Sequence, residues 1–395
     1  MKISTRFLDK DFENPFILAS GPPTATAAMI RKGFEAGWAG AVIKTLDPEP
    51  VINLKNRFAS LKTGKRIYAF KNIELLSETS PQQWFDDIYK LKKDFPEKII
   101  IGSVMGNAGN KEQWISLTKG CQDAGADFVE LNFSCPHGYP EKGMGSAIGQ
   151  NPAFSEQITR WVKESSEITI PVIPKLSAAV TDISWIGEHV KNAGADGISA
   201  INTIPSLMGF NLKTLQPLAS VDGYTTPGGF SGPAIKPIAL RCVNDLVKSP
   251  GLPVMAGGGI SSGYDAVEFL LLGAPVTHVC TEVMLHGYDI LVKMKKELSE
   301  FMGWHGFENV ADFVGKGASS IKHFSELSKD FDVKFRIIQE KCNHCGNCYV
   351  SCRDAAYQAI QKTEGKYWIN FEKCTGCSLC YQVCPTEAIE PEKVS

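Results

Sequence analysis

Of the 12 cysteines in this 395-residue chain, eight lie between Cys342 and Cys384, in two runs of one spacing. Cys342-Asn-His-Cys345-Gly-Asn-Cys348-Tyr-Val-Ser-Cys352 reads C-x2-C-x2-C-x3-C. Cys374-Thr-Gly-Cys377-Ser-Leu-Cys380-Tyr-Gln-Val-Cys384 repeats it, with Pro385 next. In such runs three thiolates wrap one iron–sulfur cubane and the fourth reaches the neighbouring cluster. The expected ligand sets are Cys342, Cys345, Cys348 and Cys384 for one [4Fe–4S] cluster, and Cys374, Cys377, Cys380 and Cys352 for a second. Two zinc sites are the alternative, but zinc modules usually present paired C-x2-C knuckles with longer spacers. A disulfide framework would suit a short secreted chain better than this one. Clusters of this kind pass single electrons, so the segment reads as a wire into the rest of the chain.

Such a wire needs a group that turns single electrons into two-electron chemistry, and a flavin does this. Gly257-Gly258-Gly259-Ile260-Ser261-Ser262 and Cys280-Thr281-Glu282 follow the last two of eight predicted strands, where barrel enzymes commonly hold a phosphate. Glycine there lets backbone N–H groups approach phosphate oxygens closely. Lys44, Asn132, Lys175 and Asn202-Thr203 fall at the C-terminal ends of other strands, the rim where barrel chemistry takes place. A rim lysine can stabilise anionic reduced flavin; the alternative is a lysine snorkelling to solvent. Cys135 lies just beyond the fourth strand, and a thiol with a pKa of roughly 8.5 is protonated at neutral pH and can serve as a general acid. Cys121, Cys242 and Cys280 read instead as buried and inert. Gly138, Gly143, Gly145 and Gly149 punctuate the stretch after Cys135, a composition expected of a mobile lid carrying the cysteine over bound substrate, with a disordered surface loop as the alternative.

These residues need a frame. Short apolar runs recur at Phe16–Ala19, Ala41–Lys44, Ile99–Val104, Phe128–Leu131, Val172–Lys175, Gly197–Ile201, Pro253–Ala256 and Thr277–Cys280, as in parallel strands buried on both faces. Helical stretches lie between them, and Gly37, Gly125, Gly194 and Gly273 stand where C-caps belong. The pattern predicts an α/β chain: a (β/α)8 TIM barrel over residues 1–300, a helical connector over 301–335, and a small α+β two-[4Fe–4S] ferredoxin-like domain over 336–395. An open doubly wound sheet is the alternative, but no Gly-x-Gly-x-x-Gly follows the first strand. A net charge of −2 argues against a dedicated nucleic-acid binder. No segment has the uninterrupted apolar length of a membrane span, and the first residues carry no apolar signal core, so a cytoplasmic protein is expected.

Asn14-Pro15-Phe16, Leu131-Asn132-Phe133-Ser134-Cys135-Pro136-His137, Gly143-Met144-Gly145, Ala200-Ile201-Asn202-Thr203 and Ser231-Gly232-Pro233-Ala234-Ile235-Lys236-Pro237 resemble the dihydropyrimidine dehydrogenase family over nearly the whole chain. With its cysteine-rich end the chain is similar to the FMN/iron–sulfur subunit of the bacterial NAD-dependent enzyme and to the C-terminal part of the eukaryotic one. The barrel resembles class 1 dihydroorotate dehydrogenases more distantly. The resemblance implies reduction of the 5,6 double bond of uracil or thymine, with hydride from reduced FMN to C6 and a proton from Cys135 to C5. It further implies that Asn72, Asn132, Asn202 and Thr203 bind the pyrimidine. FMN contacts are implied for Ser20, Lys44, Thr45, Lys175, Ser231, Gly232, Gly258, Gly259 and Thr281. Carboxamides suit this ligand, since each offers donor and acceptor to an alternating C=O and N–H edge. The sequence shows no dinucleotide-binding region, so an NAD(P)H-oxidising flavoprotein subunit or a ferredoxin is expected to supply electrons, and an oligomer is expected. Dihydroorotate oxidation is a second reading, against which no arginine stands among the expected rim residues. An electron-transfer subunit without catalysis of its own is a third.

Overall fold

A computed structural model describes residues 1–135 and 144–393. The glycine-rich stretch expected to form a lid falls, over 138–143, outside the described residues.

The chain divides into two compact units, Met1–Ile321 and Lys322–Ser395. The first is built on eight parallel strands: β1 Phe16–Leu18, β2 Gly40–Val42, β3 Ile99–Val104, β4 Phe128–Asn132, β5 Val172–Leu176, β6 Ile198–Ala200, β7 Val254–Gly257 and β8 Val276–Val279. Each pairs with its neighbour in sequence, and β8 pairs with β1 to close a barrel. Every expected strand run overlaps one of them. The intervening helices bury one stripe against the barrel. In Pro81–Asp94 that stripe is Trp84, Ile88 and Leu91, spaced four and three apart, each contributing about 1.5–3 kcal/mol by leaving water. Side chains of Ser80, Asn110, Asn151, Asp182 and Ser262 cap the helices that follow them. The four expected C-cap glycines all adopt positive φ.

A hairpin of Thr5–Phe7 and Lys10–Phe12 plugs the lower end, its Phe7 and Phe12 packed with Ile17, Ile99, Phe128 and Val276. At the other end sits an antiparallel sheet absent from the eight expected strand runs: Ile204–Ser206, Gly228–Ser231, Arg66–Asn72 and Phe58–Thr63, in that order. The helix Ile290–His305 runs through residue 300 and buries Leu291, Met294, Leu298 and Met302. Gly263 passes so close beneath it that a Cβ would stand 2.1 Å from the Met294 carbonyl oxygen. Residues 301–321 thus belong to the barrel unit.

The second unit pairs Val333–Ile337 with Ile389–Lys393 and carries a hairpin of Ile360–Thr363 and Lys366–Ile369. Each cysteine run leads into a helix, Asn347–Ala355 and Leu379–Gln382. The repeat extends to the backbone: His344 and Gly376, then Gly346 and Ser378, hold equivalent positions and all take left-handed φ.

Candidate active site and cysteine hollows

The strand ends and the antiparallel sheet line one open cleft. Cys135, Asn72, Asn132, Asn202, Thr203, Ser20, Lys44, Thr45, Lys175, Ser231, Gly232, Gly258, Gly259 and Thr281 all line it. Residues from distant parts of the chain therefore meet on one surface.

The amides form one cluster. Asn132 ends β4, and its Nδ2 donates to Thr45 Oγ1 at 3.0 Å. Its Oδ1 accepts from the Ser134 backbone N–H at 3.1 Å and from Asn202 Nδ2 at 3.3 Å. Asn202 Nδ2 also donates to Ser134 Oγ at 2.8 Å, while its Oδ1 accepts from the Thr203 N–H. Asn72 comes from the antiparallel sheet, donating to the Gly229 carbonyl at 3.3 Å. Gly229 has to be glycine, because a Cβ there would lie 2.3 Å from Thr203 Oγ1 and 3.0 Å from Asn72 Nδ2. Cys135 is buried beside this cluster, its carbonyl accepting from the Ser146 N–H at 2.9 Å.

Both rim lysines are buried and both are paired. Lys44 Nζ lies 3.3 Å from Glu74 Oε2, and Lys175 Nζ lies 3.4 Å from Glu130 Oε1. Arg57 approaches the other oxygen of Glu74 at 3.5 Å. Among the described residues lining the cleft there is no arginine. Burial, reinforced by the charge of Lys175, holds the His278 imidazole well below its ordinary pKa and keeps it neutral. Cys280, expected to be inert in a packed interior, instead lines the cleft; burial pushes its thiol up to about 12. Cys121 and Cys242 are buried, their thiols pushed up to about 12 and about 11 by burial.

The residues present fit a flavin mononucleotide. His278 Nε2 is buried in the cleft wall with no hydrogen-bond partner among the described residues, an orphaned polar atom of the kind a bound polar ligand satisfies. Gly259 takes φ +81°, and a Cβ on it would come 2.6 Å from the Lys236 backbone nitrogen. Only glycine brings the loop that close to the start of the helix Lys236–Lys248. Thr281 Oγ1 donates to Ser231 Oγ at 2.9 Å beside it, giving a polar end to a cleft whose other walls include Phe58 and Phe70.

In the second unit Cys342, Cys345, Cys348 and Cys384 line one hollow of about 290 Å³. Cys352, Cys374, Cys377 and Cys380 line another of about 350 Å³. Each set draws three cysteines from one run and one from the other. Backbone N–H groups of Ala359 and Ala388 donate to Cys352 Sγ at 3.3 Å and Cys384 Sγ at 3.2 Å, the kind of bond that tunes a cluster potential. Among the described residues no group of three or more His, Cys, Asp or Glu side chains is arranged to hold a single metal ion.

Residues 2–302 match the dihydroorotate dehydrogenase family model, and residues 336–390 match a 4Fe–4S dicluster domain. The subunit PreA of NAD-dependent dihydropyrimidine dehydrogenase from Escherichia coli is 38% identical over 366 residues, covering 92% of this chain and 88% of that one. The chloroplastic dihydropyrimidine dehydrogenase (NADP(+)) of Arabidopsis thaliana is 38% identical over 330 residues, 80% of this chain and 77% of that one. This chain belongs to the dihydropyrimidine dehydrogenase family. The catalytic subunit of dihydroorotate dehydrogenase B (NAD(+)) from Pyrococcus horikoshii is also similar, 35% identical over 304 residues, 77% of this chain and 94% of that one.

As a member of the dihydropyrimidine dehydrogenase family the chain is an oxidoreductase acting on CH–CH groups. Among its described residues no helix is long and apolar enough to cross a membrane. Reading the rim from strand ends missed Glu74, Glu130 and His278. Glu74 lies just after the strand that ends at Asn72, and the alternation that puts Glu130 and Asn132 on one side of β4 could have flagged Glu130.

Proposed function

We propose that this chain reduces the 5,6 double bond of uracil or thymine to the 5,6-dihydropyrimidine. Three carboxamides and a thiol converging on one cleft carry this reading. Asn72, Asn132 and Asn202, with Thr203, offer matched donors and acceptors to a flat, neutral base. Cys135 stands beside them as the acid that protonates C5. FMN, held by Ser20, Lys44, Thr45, Lys175, Ser231, Gly232, Gly258, Gly259 and Thr281, supplies hydride chemistry at C6. The two cysteine sets hold two [4Fe–4S] clusters that deliver electrons from an NAD(P)H-oxidising flavoprotein partner, in the cytoplasm. The Escherichia coli relative's description as a subunit of an NAD-dependent enzyme supports such a partner.

Glu74 favours this reading over dihydroorotate chemistry. Its carboxylate lines the cleft and occupies Lys44, a cation that a substrate carboxylate would seek. The test is to reduce the anaerobic holoprotein with dithionite and add uracil, thymine or orotate while following flavin and cluster absorbance. Reoxidation by uracil or thymine is expected; reoxidation by orotate alone would overturn the assignment. Cys135→Ala is expected to retain flavin and lose about 10²–10⁴-fold in turnover at neutral pH, and undiminished turnover would remove Cys135 as the acid.

A further inference from the structure

Glu130 is fully buried in β4, and it does not line the cleft. An isolated carboxylate in that position would be costly, yet this one is saturated with donors. Its Oε1 accepts from Ser103 Oγ at 3.1 Å and faces Lys175 Nζ at 3.4 Å; its Oε2 accepts from Ser199 Oγ at 2.9 Å. One side chain therefore joins β3, β4, β5 and β6 beneath the floor of the cleft.

We propose that Glu130, out of reach of anything bound in the cleft, is a positioning residue: the acceptor-only end of a hydrogen-bond chain that orients the Asn132 amide, and the counter-ion of Lys175. An ionised carboxylate can only accept, so the Ser103 hydroxyl must spend its proton on Glu130. Ser103 Oγ then accepts from Thr45 Oγ1, 2.9 Å away. With its proton committed to Ser103, Thr45 Oγ1 can only accept from its other two neighbours, Ser20 Oγ at 3.1 Å and Asn132 Nδ2 at 3.0 Å. This leaves Asn132 Oδ1 on the side of Ser134 and Asn202, and Asn202 Nδ2 turned toward it. The pattern of donors and acceptors offered to a substrate is thus held from one side by the Ser134 N–H and from the other by a charge that never touches it. Through its second branch Glu130 offsets the ammonium that Lys175 presents to the cleft.

The inference rests on the flavin and pyrimidine reading above, and the experiment separates the two. Wild type, Glu130→Gln and Glu130→Asp are purified as holoproteins and compared by flavin midpoint potential and by uracil-induced change in the flavin spectrum. In Glu130→Gln the amide can donate as well as accept, and Lys175 loses its counter-charge. Uracil binding is expected to weaken about tenfold or more. The flavin equilibrium is expected to shift about tenfold toward the reduced form, about 30 mV for a two-electron couple. Glu130→Asp keeps charge and acceptor character and is expected to recover part of both. If both quantities in folded Glu130→Gln match wild type, the positioning role is refuted; if one does, that branch is. Should Glu130→Gln fail to fold, Ser103→Ala cuts the chain but spares the ion pair. Weaker uracil binding at unchanged potential is then expected, and unchanged binding would refute the orienting role. A wild type without flavin would instead end the underlying reading of the cleft, and this proposal with it.

Discussion

Replacing Glu74 by glutamine should turn the cleft toward anionic substrates. The Glu74 side chain is 6% exposed and that of Lys44 9%, with 3.3 Å between their charged atoms. Any substrate carboxylate drawn to Lys44 would stand within a few ångströms of Glu74. At about 4 Å, with an effective dielectric near 20, two like charges repel by about 4 kcal/mol. That is close to a thousandfold, at about 1.36 kcal/mol per decade. Glutamine keeps the volume and removes the charge, and Lys44 is then released to meet an anion. Relaxation and residual solvent will reduce the gross figure, so the ratio of orotate to uracil reactivity should rise by roughly tenfold to a thousandfold. The assay is stopped-flow reoxidation of the dithionite-reduced variant by each compound, with wild type alongside. A ratio that stays put, or moves toward uracil, refutes the claim that Glu74 excludes carboxylates.

Cys352→Ala should empty the hollow that also contains Cys374, Cys377 and Cys380 and leave the other intact. Iron content would then fall from about eight to about four per chain; iron analysis with electron paramagnetic resonance would show it, and full iron retention would break the ligand assignment. His278 gives a pH dependence. Burial keeps it neutral in the fold, whereas the unfolded chain protonates it near a pKa of roughly 6.5. The stability it preserves is complete above that value and is lost as pH falls below it, at up to about 1.4 kcal/mol per pH unit. His278→Asn should therefore show a flatter melting temperature than wild type between about pH 6.5 and about pH 5. Parallel declines would remove the imidazole as the cause.

Much of this was legible in the chain itself. Eight apolar runs read as strands of a parallel sheet because a parallel strand covered on both faces must be apolar throughout. The cysteine sets were legible because three ligands of each lie within seven residues, so local backbone geometry alone brings them together. Cys135, Asn132, Lys44, Lys175 and Asn202 could be placed on one rim because every strand of such a barrel ends at the same face.

Tertiary structure decided what depends on contacts between distant residues. The antiparallel sheet over the cleft joins residues 58–72 with 204–231; its strands are partly exposed, two of them are only three or four residues long, and Gly228–Ser231 opens on two glycines, so no clean period announces them. That sheet carries Asn72 into the site, and the segment leaving its strand carries Glu74. The partners of the rim lysines were equally hidden, because a buried charge is defined by what surrounds it and not by its neighbours in sequence. Local sequence could nominate Lys175 and Asn132, but only the closed barrel brings Ser103, Glu130 and Ser199 together beneath them, and it is burial there that gives one carboxylate control over both.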